Sequence, residues 1–215
     1  MQHWRFGTKP VIGLTGGIGS GKSFVASLLK QLACGVIDSD RFSRQALSDP
    51  EIGSQIKNIW GQAVFSDDGL VDRQALAQRV FTSPNELKQL EKIIHPYVHQ
   101  LRTVNRKQML ENPQIVAVVE DCPLLYETGL DSEVDVTIFI AVDTKIRLSR
   151  IQLTRGWSEL EFIKREKNQL KLDTKAKYAD YVINNNGSEK ECSDQISLVL
   201  SKILQSPDNK SEIIN

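Results

Sequence analysis

The chain has 215 residues, of which 40% are hydrophobic and 25% are charged, as is ordinary for a soluble globular protein. Its 27 Lys and Arg residues balance its 27 Asp and Glu residues, so its overall charge attracts neither nucleic acid nor an anionic membrane. No apolar run approaches the ~18 residues of a membrane span, and three widely spaced cysteines fit reduced thiols in a cytoplasmic protein better than disulfides.

The first predicted elements are a strand at Val11–Thr15, a glycine-rich loop and a helix. Residues 11–23 read Val-Ile-Gly-Leu-Thr-Gly-Gly-Ile-Gly-Ser-Gly-Lys-Ser, and Gly16 to Ser23 match the phosphate-loop pattern G-x-x-x-x-G-K-S. Glycines let the backbone turn tightly enough to aim several N–H groups at phosphate oxygens, and the helix adds its positive dipole end. Lys22 is expected to reach the β- and γ-phosphates, and the Ser23 hydroxyl to hold Mg²⁺. The segment predicts binding of a nucleoside triphosphate rather than an incidental glycine-rich turn.

A helix and a second short strand are predicted to follow the loop. The helix has an apolar face for packing on a sheet, formed by Val25, Leu28, Leu29 and Leu32. Gly35 is expected to end this helix, and the strand Gly35–Asp38 runs into the acidic segment Asp38-Ser39-Asp40. Either carboxylate could accept the proton of an acceptor hydroxyl or hold a Mg²⁺-bound water. The alternative is an Asx turn or a helix cap, but two carboxylates beside a nucleotide site favour the chemical role.

Residues 39–114 are too many for one crossover and are predicted to form a helical insertion over the carboxyl ends of the strands. Ligands bind at that edge of open α/β sheets, so the insertion is the expected acceptor-binding subdomain. Its clearest amphipathic helices are Arg73–Phe81 and Glu86–Met109. His95 and His99 have a spacing that can hold a metal ion on a helix. Pro96 favours the alternative, a helix that starts at Pro96 with His95 just before it.

The third and fourth strands are predicted at Ile115–Glu120 and Val134–Val142. Glu120 and Asp121 stand at the end of the third strand. Phosphate-loop proteins usually keep a carboxylate that supports Mg²⁺ at this position. A simple strand-end cap is the alternative, and it is less favoured beside a nucleotide site.

A basic segment follows the fourth strand. Between Asp143 and Lys177, ten Lys or Arg residues outnumber five Asp or Glu residues. Such a run is usually a solvated helix face, but beside a phosphate loop it also fits a lid over a polyanion. Arg155 in this segment could neutralise a phosphoryl group in transfer, with an ordinary surface arginine as the alternative.

The arrangement of these elements predicts the fold class. Near-continuous Val and Ile content in the strands, the last of which is Tyr181–Asn184, favours a parallel sheet buried on both faces, with helical right-handed crossovers. The predicted fold is α/β, a three-layer P-loop NTPase fold with a five-stranded parallel sheet. We expect one domain over 11–205, with core segments 11–38, 115–143 and 178–205, a helical acceptor-binding insertion 39–114, a basic lid 144–177 and flexible ends 1–10 and 206–215.

The motifs between about Val11 and Ser188 resemble those of the dephospho-CoA kinase family. Besides the phosphate loop, the matching segments are Asp38-Ser39-Asp40, Arg73-Gln74-Ala75-Leu76 with Val80-Phe81, Leu90-Glu91-Lys92-Ile93-Ile94-His95-Pro96-Tyr97-Val98, Asp121-Cys122-Pro123-Leu124-Leu125-Tyr126-Glu127, Gln169, Lys175 and Ala179-Asp180-Tyr181-Val182-Ile183-Asn184-Asn185. A phosphate loop alone is shared by very many proteins, whereas the His-Pro, Asp-x-Pro-Leu-Leu and Ala-Asp-x-Val-Ile segments together are far more specific.

The resemblance implies ATP-dependent phosphorylation of the ribose 3′-hydroxyl of dephospho-CoA, which gives coenzyme A and ADP. It implies an ATP site formed by Gly16, Gly17, Ile18, Gly19, Ser20, Gly21, Lys22 and Ser23. It makes Asp40 the favoured base or hydroxyl-orienting group, with Asp38 second and Arg155 on the lid. The acceptor site would be lined by His95, Asp121, Leu124 and Leu125. The family's Gln-x-x-Arg-x-x-x-Arg pattern is broken before the lid, which leaves open whether Arg147, Arg150 or Arg155 meets ATP.

The expected partners are therefore small molecules, ATP with Mg²⁺ and dephospho-CoA, bound by a monomer or small homo-oligomer, with no nucleic-acid or membrane partner. Another P-loop small-molecule kinase, such as a nucleoside or nucleotide kinase, is the alternative. A GTP-binding switch is disfavoured because the guanine-reading segment Asn/Thr-Lys-x-Asp is absent. Thr174-Lys175-Ala176-Lys177 lacks the final Asp. A catalytically silent regulator is disfavoured because the loop lysine, the loop serine and both acidic segments are present.

Overall fold

The computed structural model describes residues 4–80 and 82–205. Within these residues the chain divides into two compact units, the first formed by 4–37 and 108–205 and the second by 38–107. Of the predicted flexible ends, residues 1–3 and 206–215 lie outside the described residues. Phe81, the last residue of the predicted helix Arg73–Phe81, also lies outside them.

The described elements alternate between strands and helices. The strands are β1 (Val11–Gly16), β2 (Cys34–Asp38), β3 (Ala117–Asp121), β4 (Val136–Ala141) and β5 (Tyr181–Asn184). The α-helices are α1 (Lys22–Gln31), α2 (Ser39–Ala46), α3 (Pro50–Trp60), α4 (Arg73–Val80), α5 (Pro84–Glu111), α6 (Thr144–Arg155), α7 (Glu159–Glu166), α8 (Leu172–Tyr178) and α9 (Glu189–Gln205). Short 3₁₀ helices lie at Gly61–Val64 and Leu130–Glu133.

The five strands form one sheet in the order β2-β3-β1-β4-β5. β1 pairs in parallel with β3 on one side and with β4 on the other, and β4 pairs in parallel with β5. Every residue of β1 and β3 is buried, as expected for central strands covered on both faces. The predicted α/β class with a five-stranded parallel sheet is confirmed, and each strand lies within a few residues of its predicted bounds.

The core of the first unit forms where helices α1 and α9 contribute apolar side chains to the sheet. Val25 and Leu29 of α1 belong to one buried cluster with Ile12 of β1 and Ile196 of α9. This burial confirms the predicted apolar face of α1. Burying such side chains is the main favourable contribution to folding, at about 1.5–3 kcal/mol for each large one.

The predicted end of α1 at Gly35 is wrong. The helix ends at Gln31, and Ala33 takes the left-handed conformation with φ 62°. Gly35 lies inside β2, where a Cβ atom would stand 2.7 Å from the sulfur of Met109. The glycine leaves room for the Met109 side chain to approach the strand, and it does not stop the helix.

The second unit is helical and has its own core. Its buried cluster is formed by Ile52, Ile56, Val64, Leu76 and Val80. Helix α5 continues through Pro96, so the predicted helix start at that residue is wrong. Proline removes one hydrogen bond, but Ile93 and Tyr97 pack against the cluster on either side of it and hold the helix together. Among the described helices of both units, none is long and apolar enough to cross a membrane.

The described residues before β1 make contacts with one another and with a later segment of the first unit. Trp4 and Gly7 form an antiparallel bridge. The Arg5 guanidinium donates to the carbonyl oxygens of Ser132 and Val134, at 2.5 and 2.6 Å. These contacts tie the segment to the turn that precedes β4.

Candidate active site

The phosphate-loop segment folds as a tight turn between β1 and α1. The Ser20 N–H donates to the Gly17 carbonyl at 3.0 Å, and the N–H groups of Phe24 and Val25 both donate to the Gly21 carbonyl. Helix α1 begins at Lys22, directly after this turn. The first N–H groups of a helix have no partner within it, so they are available to an anion at this end.

Gly19 and Gly21 are required by both conformation and space. Their φ angles are 78° and 82°, in the left-handed region that other residues rarely adopt. A Cβ on Gly19 would lie 2.6 Å from the backbone oxygen of Arg147, and one on Gly21 would lie 2.5 Å from Nδ2 of Asn185. Neighbouring groups therefore enclose the loop on its outer side.

Lys22 and Asp121 are brought together by the β1–β3 pairing. Lys22 lies just past β1 and Asp121 ends β3, and the lysine Nζ donates to Oδ1 of Asp121. Both side chains are mostly buried, with 15% and 9% of their surface exposed. The carboxylate that was predicted to support Mg²⁺ or to line the acceptor site thus also holds the phosphate-loop lysine.

The three arginines that the sequence offered as possible ATP contacts lie in different environments. Arg147 is only 2% exposed, and its Nη1 donates to the Ile18 carbonyl of the phosphate loop at 3.2 Å. Arg150 is half-buried, and its Nη2 donates to the Asn185 carbonyl at 3.0 Å. Arg155 is exposed at the end of α6, with its guanidinium 5.0 Å from the ring centre of Trp157. Of these three arginines, only Arg155 is exposed.

Lys175 forms an ion pair that the sequence did not predict. It is fully buried, and its Nζ lies 2.7 Å from Oε1 of Glu127 and 2.8 Å from the Pro123 carbonyl oxygen. The same Glu127 oxygen accepts the N–H of Leu170 at 2.7 Å. The end of the basic segment is therefore anchored to the turn that follows β3. Lys175 and Glu127 both belong to motifs shared with the family that the sequence resembles, which marked each residue as important. The sequence does not indicate that the two side chains contact each other.

Leu124 and Leu125 occupy different environments. Leu124 is exposed, whereas Leu125 is fully buried. A Cβ on Gly13 of β1 would lie 2.8 Å from Cδ2 of Leu125, so this leucine packs directly against the strand. Leu125 is thus part of the packing of the first unit, and its place in the acceptor site stays a prediction.

The other predicted site residues lie in the second unit. Asp38 caps helix α2, and its Oδ1 accepts the N–H of Arg41 at 2.9 Å. The cap that was considered as an alternative is therefore present. Asp40 is exposed in the first turn of α2, and His95 is exposed on α5.

The predicted alternative of a metal site at His95 and His99 has no support from a wider ligand set. Within residues 4–80 and 82–205, no group of three or more His, Cys, Asp or Glu side chains is placed to hold a metal ion. A dedicated protein-only metal cage usually needs at least three such ligands.

Comparison with known proteins shows which family the chain belongs to. The sequence model of a family described as dephospho-CoA kinase matches residues 10–191. A dephospho-CoA kinase from Oceanobacillus iheyensis is 39% identical over 193 residues, which cover 89% of this chain and 96% of the relative. One from Syntrophotalea carbinolica is 35% identical over 196 residues, covering 90% and 92%.

Two solved structures are similar over nearly the whole chain. A crystal structure from Thermus thermophilus is 34% identical, with a TM-score of 0.79 over 94% of this chain and 98% of that one. A dephospho-CoA kinase from Campylobacter jejuni is 23% identical, with a TM-score of 0.68 over 92% and 98%. The second likeness, at this low identity, concerns the fold alone.

Proposed function

Because the chain belongs to the dephospho-CoA kinase family, we propose that it transfers the γ-phosphoryl group of ATP to the ribose 3′-hydroxyl of dephospho-CoA. The products are coenzyme A and ADP, so the reaction is the last step of coenzyme A biosynthesis. The observation that carries the proposal is the phosphate loop Gly16–Ser23, with Lys22 held beside the carboxylate that ends β3.

The donor half of the reaction is assigned to the phosphate loop. Its N–H groups and the start of α1 bind phosphate oxygens, and Lys22 exchanges its contact with Asp121 for the β- and γ-phosphates. Phosphoryl transfer asks little covalent chemistry of the protein, so positioning and charge neutralisation supply most of the catalysis. Arg155 is the proposed lid residue that neutralises the transferring group, since its guanidinium is exposed.

The residues near the loop fit Mg²⁺. Ser23, exposed in the first turn of α1, and Asp121 supply the hard oxygen atoms that this ion prefers. In kinase sites Mg²⁺ is usually bound by one or two such protein groups together with substrate phosphates. When bound, it would neutralise charge on the phosphates during transfer.

The acceptor half is assigned to Asp40, with Asp38 second. A carboxylate that accepts the proton of the attacking hydroxyl must have an oxygen available to it. Asp38 already uses one oxygen to cap α2, whereas Asp40 is exposed in the same helical turn, which supports Asp40 as the base. His95, Asp121, Leu124 and Leu125 remain the proposed acceptor contacts.

The test is ADP release measured across acceptors with the full chain. We expect saturable turnover with dephospho-CoA and none with nucleosides or nucleoside monophosphates, and ³¹P NMR should place the new phosphate on the 3′-oxygen. Saturable turnover with a nucleoside monophosphate and none with dephospho-CoA would instead make the chain a nucleotide kinase.

We also propose the cytoplasm as the compartment and a monomer or small homo-oligomer as the working form. Cys34, Cys122 and Cys192 are all buried, and none of them forms a disulfide bond within the described residues. Free thiols are typical of reducing compartments.

A further inference from the structure

Two side chains from outside the phosphate loop grip its backbone carbonyl groups. The Arg147 Nη1 donates to the Ile18 carbonyl at 3.2 Å, and the Asn185 Nδ2 donates to the Ser20 carbonyl at 2.8 Å. Arg147 comes from α6 and Asn185 follows β5, and they are only 2% and 5% exposed. We call this pair the outer brace.

The direction of these bonds fixes the direction of two N–H groups. In a planar trans peptide unit, the carbonyl oxygen and the next N–H point to opposite sides. With the Ile18 carbonyl turned toward Arg147, the Gly19 N–H faces away from it, toward the inner side of the loop. The Ser20 carbonyl and the Gly21 N–H are related in the same way across Asn185. These N–H groups are of the kind that bind phosphate oxygens in such loops.

Arg147 is itself held rigidly. Its Nε donates to the Val142 carbonyl at 3.1 Å, and its Nη2 donates to Oγ1 of Thr144 at 3.1 Å. Its Nη1 also lies 2.5 Å from Oε1 of Glu166, and its guanidinium stacks over Phe162. Because Glu166 neutralises the guanidinium, the side chain acts on the loop by orientation rather than by added positive charge.

Asn185 is held by its own backbone. Its N–H donates to the Ala141 carbonyl at the end of β4, and its carbonyl accepts the bond from Arg150. A side-chain amide fixed in this way keeps its donor aimed at Ser20. The two arms of the brace thus start from different neighbouring elements, α6 and the end of β5.

We propose that Arg147 and Asn185 are positioning residues that hold the phosphate loop in the conformation that binds the phosphates of ATP. They act through Ile18 and Ser20, and neither needs to touch the nucleotide. The inference rests on the proposed function, because it assumes that this loop is the ATP site.

The test measures ADP binding by calorimetry, together with KM for ATP and for dephospho-CoA, on full-length variants. Asn185→Leu removes the amide donor at nearly constant size. Arg147→Gln is combined with Glu166→Gln so that no carboxylate is left without its partner. We expect the Kd for ADP and the KM for ATP to rise about tenfold or more in each variant. Loss of one hydrogen bond from a loop N–H to a charged phosphate has about that effect. KM for dephospho-CoA should stay unchanged, which general damage to the fold would not achieve.

Matched controls separate the brace from ordinary structural bonds. Arg5→Gln removes a guanidinium that also binds two backbone carbonyls, on the turn before β4. Asn186→Leu changes the half-buried neighbour of Asn185, whose Oδ1 accepts the Asp143 N–H. Both controls should bind ADP as the unchanged protein does. Arg147→Lys keeps a cation but not the planar fork, so it should lose ADP affinity as well.

Two outcomes would count against the brace. Unchanged ADP affinity in both folded variants would overturn it, as would full activity of Arg147→Lys, which would show that charge and not orientation matters. If the Arg147 variant does not fold, Asn185→Leu decides the question alone. Failure of the unchanged protein to bind ADP would instead overturn the proposed function, so the two failures are distinguishable.

Discussion

Lys22 donates a hydrogen bond to Oδ1 of Asp121, so the phosphate-loop ammonium and the carboxylate that ends β3 meet in a mostly buried pair. The parallel pairing of β1 with β3 creates this contact, because it aligns Leu14 with Asp121 and so places the strand ends side by side. Under the proposed function, nucleotide phosphates compete with this carboxylate for the ammonium group.

Replacing the loop lysine should remove activity without unfolding the chain. We expect Lys22→Ala to lower kcat at least about 100-fold, as loss of a group that stabilises transition-state charge does. Lys30→Ala, in the exposed last turn of the same helix, is the control and should keep full activity. ADP release and the midpoint of thermal unfolding are the measurements. An unimpaired rate in Lys22→Ala would remove the kinase assignment of this loop.

The two carboxylates after β2 should differ in their effect. Asp40→Asn is expected to lower kcat about 10²–10⁴-fold with little change in KM for ATP, because it removes the proposed base. Asp38→Asn keeps the helix cap, since Asn caps as well as Asp, so any loss of activity in it reports chemistry and not stability. Steady-state kinetics of both variants, with thermal unfolding alongside, decide between them. A larger loss of kcat in Asp38→Asn would exchange the two roles.

The exposed arginine of the basic segment should matter for turnover rather than for stability. Arg155 stacks on Trp157 and is exposed, so Arg155→Gln should leave the unfolding midpoint unchanged while lowering kcat about 10-fold or more. Lys190→Gln removes an exposed cation that pairs with Asp194 on α9 and serves as the control. Equal kinetics for both variants would make Arg155 an ordinary surface residue.

Much of the fold was predictable because its signals are local. The glycine pattern of residues 16–23 and the continuous apolar strands specify the loop and the parallel sheet through neighbouring residues alone. The roles of Arg147 and Lys175 were not predictable in this way. Each looked like part of a solvated basic face, and burial depends on partners such as Ile18, 129 positions away.

The errors at two other positions have the same origin. Gly35 was assigned to a helix end because glycine often stands there, but the close approach of Met109 explains it. Pro96 was assigned to a helix start, but packing on both sides of it carries α5 through. The burial of Leu125 against Gly13 likewise depends on tertiary contacts, which a single sequence does not display.

Breaking the ion pair between buried Lys175 and partly exposed Glu127 should cost stability. We expect Lys175→Met to lower the free energy of unfolding by about 1–3 kcal/mol, because it leaves a partly buried carboxylate without its charged partner. Adding Glu127→Gln should recover part of this loss, since the amide oxygen still accepts the Leu170 N–H. Urea unfolding of the single and double variants measures the coupling. Lys190→Met, at an exposed pair, should change little, and additive losses at Lys175 and Glu127 would show that the two residues act independently.

The stability of the chain should also depend on pH through Cys34. Burial raises the pKa of its thiol from 9.0 to about 12. As pH rises, the thiol therefore loses its proton in the unfolded chain before it does so in the folded chain. The free energy of unfolding is unaffected by ionisation of this thiol below pH 9 and decreases as pH rises from 9 toward 12. One proton contributes about 1.4 kcal/mol per pH unit across that window. Urea unfolding from pH 8 to 11 should show a steeper decline for the unchanged chain than for Cys34→Ala, and parallel curves would contradict this.

The burial of Arg147 and Lys175 also changes what an approaching nucleotide meets. Of the ten cations in the basic segment, these two are buried and paired with the partly exposed carboxylates of Glu166 and Glu127. Under the proposed function, electrostatic attraction of ATP toward the site therefore comes from the exposed cations. At ionic strengths near 0.1–0.15 M, salt weakens such attraction beyond about 8–10 Å. Raising the ionic strength should slow the binding of ATP, while the ion pairs of Arg147 and Lys175 stay formed. The rate of encounter with ATP should therefore depend on salt, whereas the geometry of the phosphate loop should not.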